Sequence, residues 1–150
     1  MIEQKQLYLH KPDEGSYGDC WRTCLACILD VPAENIPHYY ATFWTDGANI
    51  SGLVHGATNN FFLEAGWGIR FVEYPIECDY EQLRIYISHY FKDMYVVVGC
   101  NSKNGGHSVV MKGYDYMWDP SIDNSGCVGP MDDGYYWIGL LVSIKHLGVN

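Results

Sequence analysis

The sequence predicts an α+β domain, and three observations predict it. Helix-patterned segments dominate the first part of the chain, and β-rich runs dominate the later part. The later runs follow one another closely, as antiparallel neighbours do. That segregation argues against a doubly wound parallel sheet. The length, 150 residues, suits one domain spanning 1–150 with a sizeable core.

The elements follow in order. Residues 1–17 read as an irregular entry, because Pro12 and Gly15 break regular structure. Asp19 is placed to cap a helix over 20–29, CWRTCLACIL, which Val31-Pro32 ends. AENIPHYY reads as a short turn or helix interrupted by Pro37. Residues 41–58 carry no clear pattern. ATNNFFLEAGWG reads as a helix stopped at Gly66, and IRFVEYP alternates as a strand. CDYEQLRIYISHYFKD reads as an amphipathic helix with Leu83, Ile87, Tyr90 and Phe91 on one face. MYVVVGCN has the continuous β-rich make-up of a buried strand. GGHSVVMKG and DYMWDP follow as two strands joined near residues 112–115. Residues 121–134 are loop-like, and YYWIGLLVSIKHL reads as a closing strand.

Composition narrows the function. Eighteen acidic residues stand against nine basic ones, for a net charge of −9. There is no Lys/Arg cluster to neutralise phosphates, so neither a nucleic acid nor an anionic membrane is an expected partner. No apolar run approaches the ~18 residues that cross a bilayer. MIEQKQLYLHKPDEG lacks the apolar core of a signal peptide. The expected location is therefore the cytoplasm, where six cysteines are kept reduced rather than paired.

Three of those cysteines form GDCWRTCLACIL, spaced C-x3-C-x2-C at 20, 24 and 27. The spacing resembles the cluster signature of radical S-adenosylmethionine enzymes. Those enzymes carry it on a loop after a strand, whereas here it lies in a helical pattern, with Ala26 before the last cysteine. Structural zinc needs four ligands, usually from paired knuckles, and Cys78, Cys100 and Cys127 are singletons. No metal or cofactor is expected. Cys24 and Cys27 read as small core residues beside Ile28. Cys20 stands in the first helical turn, where unpaired N–H groups and the helix dipole favour an anion. Thiols in that setting are good nucleophiles at neutral pH. One more buried cysteine is the plainer alternative.

A nucleophilic cysteine needs a base, and the base needs an orienting group. Of six histidines, His107 lies in a strong strand pattern beside Gly105 and Gly106. Asp119 follows in YMWDPS, where a hairpin brings it beside His107. An Asp–Pro turn start is the other use for that carboxylate. His10, His38, His55, His89 and His146 share no spacing; His38 and His55 could approach the site, but all read as structural or surface residues.

Three segments in order now resemble a papain-like cysteine peptidase. They are Gly18-Asp19-Cys20-Trp21 opening a helix, Gly106-His107-Ser108-Val109-Val110 on a strand, and Trp118-Asp119-Pro120-Ser121 soon after. More narrowly, the chain is similar to a group of small, mostly uncharacterised bacterial and phage proteins. These share a G-[ND]-C opening, an [IV]-P-H turn (here Ile36-Pro37-His38), a second helix matching Phe61–Gly66, then G-H-[AS]-V-V and D-P. The resemblance covers about 18–121. It implies a papain-like fold in which the N-terminal helix carries the nucleophile and packs on a mostly antiparallel sheet. It implies Cys20 as nucleophile, His107 as general base and acid, and Asp119 as orienter.

Papain-like enzymes usually place a glutamine before the nucleophile as an oxyanion donor. Here Glu14 stands six residues before Cys20, and its carboxylate has no proton to donate. Gln6 and His10 are the candidate substitutes, with the Cys20 N–H as the other donor. Tyr17, Trp21, Tyr116 and Trp118 are candidate walls of a substrate groove. The expected function is a thiol-dependent hydrolase acting on a peptide or protein amide through a thioester. The acidic chain favours a basic or neutral substrate segment. The rival is a binding module on a retired peptidase fold, such as a phage protein that blocks a host factor.

Overall fold

The computed structural model describes residues 1–144. His146 and the end of the expected last strand lie outside them. Four α-helices are formed: α1 (Cys20–Leu29), α2 (Tyr39–Phe43), α3 (Ser51–Glu64) and α4 (Tyr80–Tyr90). Five strands, β1 (Ile69–Ile76), β2 (Val96–Ser102), β3 (Gly105–Lys112), β4 (Tyr116–Trp118) and β5 (Tyr136–Ser143), make one sheet of order β1-β5-β2-β3-β4.

Every pairing in that sheet is antiparallel. β1 and β2 therefore run the same way on either side of β5, and α4 makes the crossover between them. Mixed helix and antiparallel sheet is the α+β architecture.

Two cores lie on the two faces of the sheet. Val97, Val110 and Phe71 pack with Trp21, Cys24, Leu25 and Ala26 of α1 and with Val54 and Phe62 of α3. Val96, Val98, Cys100, Val109, Met111, Tyr136 and Ile138 pack with Leu83 and Ile87 of α4. The unbroken apolar run of β2 is explained by this sandwiching. Successive side chains point to opposite faces, and both faces are covered.

The helices differ from expectation in two places. α3 begins at Ser51 rather than near Ala57, because Val54, Thr58 and Phe62 form one buried line at four-residue spacing. Gly52 and Gly56 are helix-weakening residues that hide this start in the sequence. Tyr90 does not join the buried face of α4. It is 65 % exposed and leans on the Tyr86 ring. Asp79 and Gln82 form a reciprocal capping box that starts α4.

Candidate active site

Cys20 is the first residue of α1 and is half-buried. Asp19 precedes it but makes no side-chain cap, which corrects the expectation from sequence. Its buried carboxylate turns away from the helix. Oδ1 accepts the N–H groups of Leu7 and Tyr8, each at 3.0 Å. Oδ2 accepts Arg22 Nε at 3.1 Å and Nη2 at 3.0 Å. Arg22 then donates to Ile36 O at 2.9 Å, which fixes the Ile36-Pro37-His38 turn. The first-turn N–H groups of α1, including that of Cys20, are thereby left without a side-chain cap.

His107 lies in β3 and Asp119 just beyond β4. The β3–β4 register pairs Val110 with Trp118, so the chain past Trp118 runs alongside His107. His107 Nε2 is 2.7 Å from Asp119 Oδ1. That leaves Nδ1 free of Asp119, and Cys20 lines the same cavity and raises the pKa of the ring. Asp119 is itself held by Ser121 N–H (2.9 Å), Ser121 Oγ (2.7 Å) and Gly126 N–H (2.9 Å).

The electrostatics follow from these contacts. Burial alone lowers the His107 pKa, but the hydrogen bond and charge of Cys20, then those of Asp119, outweigh it and raise it to about 9. Burial alone raises the Asp119 pKa, but His107, Ser121 and Gly126 bring it down to about 2. At neutral pH the ring is therefore an imidazolium bonded to the Asp119 carboxylate.

Of the three oxyanion candidates, the structure brings Gln6 and His10 to a cavity shared with Cys20 and His107. Gln6 is 7 % exposed. Its backbone N–H donates to Pro120 O at 2.8 Å, and Leu7 and Tyr8 beside it hang on Asp19. One strap thus ties Gln6 to both the Asp119 and the Cys20 segments. Its Nε2 donates to Tyr8 O at 2.5 Å, and one further amide hydrogen remains. His10 Nδ1 accepts the Gly18 N–H at 3.1 Å, which leaves the ring proton on Nε2. Glu14 is exposed in the turn Pro12–Glu14 and does not line the cavity.

The cavity has a volume of about 970 Å³. Trp21 lines it, as expected, but the other groove candidates do not. Trp118 packs into the α1 side of the core, donates Nε1–H to Gln4 O at 2.9 Å and lies under the Lys5 ammonium. Tyr116 donates to Glu3, and Tyr17 rests on Trp44.

Sequence reasoning missed His55 and Glu73, which both line the cavity. His55 Nδ1 is 3.2 Å from Glu73 Oε1. The His55 ring stacks on Trp21 with centroids 4.4 Å apart. The alternation of β1 was the available signal, since it puts Phe71 and Glu73 on one face. Ser108, Trp137 and Gly139 also line the cavity.

Cys24 is fully buried and Cys27 donates to Gln4 O at 3.8 Å. Burial pushes both thiols up, which suits packing rather than chemistry. Among the described residues, no group of three or more His, Cys, Asp or Glu is placed to hold a metal ion. No described helix is long and apolar enough to cross a membrane.

The arrangement brings a cysteine and an imidazolium to one cavity, orients the ring with a fixed carboxylate, and lines the same cavity with the Gln6 amide. Comparison with known proteins found no matching family model, no matching curated protein and no matching solved structure.

Proposed function

We propose that the protein is a papain-like, thiol-dependent hydrolase of peptide or other amide bonds. The observation that carries the reading is the Cys20–His107–Asp119 series, with His107 bonded to Asp119 at 2.7 Å and facing the thiol at the head of α1. The Cys20 thiolate, paired with the His107 imidazolium, attacks the carbonyl carbon, and the oxyanion that forms is met by the Cys20 N–H and the Gln6 amide. His107 gives its Nδ1 proton to the leaving amine, and the C–N bond breaks to leave a thioester. His107, now neutral, takes a proton from water, and hydroxide displaces the thiolate. Asp119 holds the ring orientation and stabilises the imidazolium throughout.

The test is selective alkylation. Wild type and His107→Ala are treated with limiting iodoacetamide across mildly acidic to mildly alkaline pH, and modified cysteines are identified by mass spectrometry. The reading expects Cys20 to react first, even in mild acid, and to lose that lead in the variant. Equal reactivity of Cys20 and Cys127, or indifference to His107, sinks it and moves a binding role ahead.

A further inference from the structure

One arm of the cavity is not used by the chemistry described above. It is walled by aromatic rings next to the nucleophile. Trp21 directly follows Cys20. Phe71 meets the Trp21 ring edge-on at 5.1 Å and 86°, and Tyr40 meets it at 6.3 Å and 77°. His55 stacks on the same indole. All four rings line the cavity, and Glu73 lines it with them. Burial raises the Tyr40 pKa to about 12, so its hydroxyl stays neutral.

Glu73 is the charged member. His55 approaches Oε1, while Oε2 has no polar partner among the described residues. The carboxylate side chain keeps 29 % exposure, so solvent and ligand reach it. Across the whole cavity the carboxylates are Glu73, Asp123 and Asp133, against Lys11 and the His107 imidazolium.

The sheet brings Phe71 close to its neighbouring strand beside Glu73. Glu73 pairs with Gly139 on β5, and Gly139 pairs with Val97 on β2. A Cβ at Gly139 would lie 2.5 Å from Phe71 Cε2. Gly139 has no positive φ that would otherwise call for glycine. Glycine in the middle of a strand weakens it, and close approach is the usual reason it is there. Here it lets the Phe71 ring close onto the β5 backbone.

Aromatic faces attract a cation within about 6 Å of the ring, and more strongly where water is displaced. A carboxylate at the same place adds charge complementarity. We infer that the arm walled by Trp21, Tyr40, His55 and Phe71 is a subsite for a cationic side chain, lysine or arginine, with Glu73 as its counter-charge. The inference rests on the hydrolase reading for its place in the substrate, one or two residues from the attacked carbonyl. Binding itself does not depend on the chemistry.

The test is an NMR titration of the Cys20→Ala chain with Nα-acetyl-lysine methylamide and with its norleucine counterpart. The expected result is a saturable shift of the Trp21 indole N–H and about tenfold tighter binding of the lysine compound. Glu73→Gln brings that ratio close to one. Should that variant fail to fold, raising salt from 0.05 to 0.5 M on the Glu73 chain lowers the ratio severalfold by screening. Equal binding of the two compounds, or shifts elsewhere than Trp21 and His55, overturns the inference. The iodoacetamide comparison above judges the nucleophile separately. A reactive, His107-dependent Cys20 with no lysine preference fails the subsite alone, and an unreactive Cys20 with a lysine preference fails the hydrolase alone.

Discussion

Asp119 Oδ1 lies 2.7 Å from His107 Nε2, while the two oxygens of the same carboxylate take the Ser121 N–H, the Ser121 hydroxyl and the Gly126 N–H. The carboxylate bonded to His107 is thus itself fixed by the loop that follows it. Asp119→Asn puts an NH2 group where only acceptors fit. The expected outcome is a His107 pKa, followed by NMR, that falls below about 9. Cys20 alkylation at neutral pH is expected to drop about tenfold or more, and stability by about 1–3 kcal/mol from the unmatched buried donor.

The pH dependence of stability has a definite sign. The folded His107 pKa of about 9 exceeds its ordinary 6.5. Its contribution is therefore complete below 6.5 and is lost as pH rises through about 9. Asp119, held at about 2 against 3.8, contributes above 3.8 and loses this as pH falls through about 2. The melting difference between wild type and His107→Ala should be largest between about pH 4 and 6.5 and shrink toward pH 9. Differential scanning calorimetry across that range reads it. A difference that grows toward pH 9 contradicts the imidazolium assignment.

Gln6→Ala separates acyl transfer from thiol reactivity. Removing one oxyanion donor costs about a hundred- to a thousand-fold in rate. Alkylation by iodoacetamide builds no oxyanion, so it is expected to change far less. The pair of rates, amide turnover and Cys20 alkylation, is measured on one preparation. Parallel loss of both assigns Gln6 to the fold rather than to the oxyanion.

Gly139→Ala tests the floor of the cleft. The added methyl sits 2.5 Å and 2.6 Å from two Phe71 ring carbons. The ring or the strand has to shift, at about 1–3 kcal/mol. Urea unfolding of wild type and variant gives the difference, and an unchanged midpoint denies the close approach.

The legible parts of the site were those carried by short-range pattern. A glycine–aspartate–cysteine opening before an apolar helix pointed to the start of α1. Two β-runs a few residues apart brought Asp119 to His107. Trp118 was misread although the same pattern contains the answer. It pairs with Val110, which faces the α1 core, and adjacent strand residues face opposite ways. The His55–Glu73 contact was not legible, because it joins α3 to β1 with no shared spacing. The strap that brings Gln6 to the cavity hangs on Asp19 and Pro120. Long-range hydrogen bonds of this kind leave no local signature.

The strand order has a consequence in time. β1 and β2 meet only through β5, the latest of the five strands in sequence. A nascent chain extended as far as Gly134 already contains Cys20, His107 and Asp119. It still holds β1 apart from the β2–β3–β4 unit, and it lacks Trp137 and Gly139. Non-local pairing of this kind is also the slow part of folding. During synthesis the thiol exists well before the cleft that surrounds it.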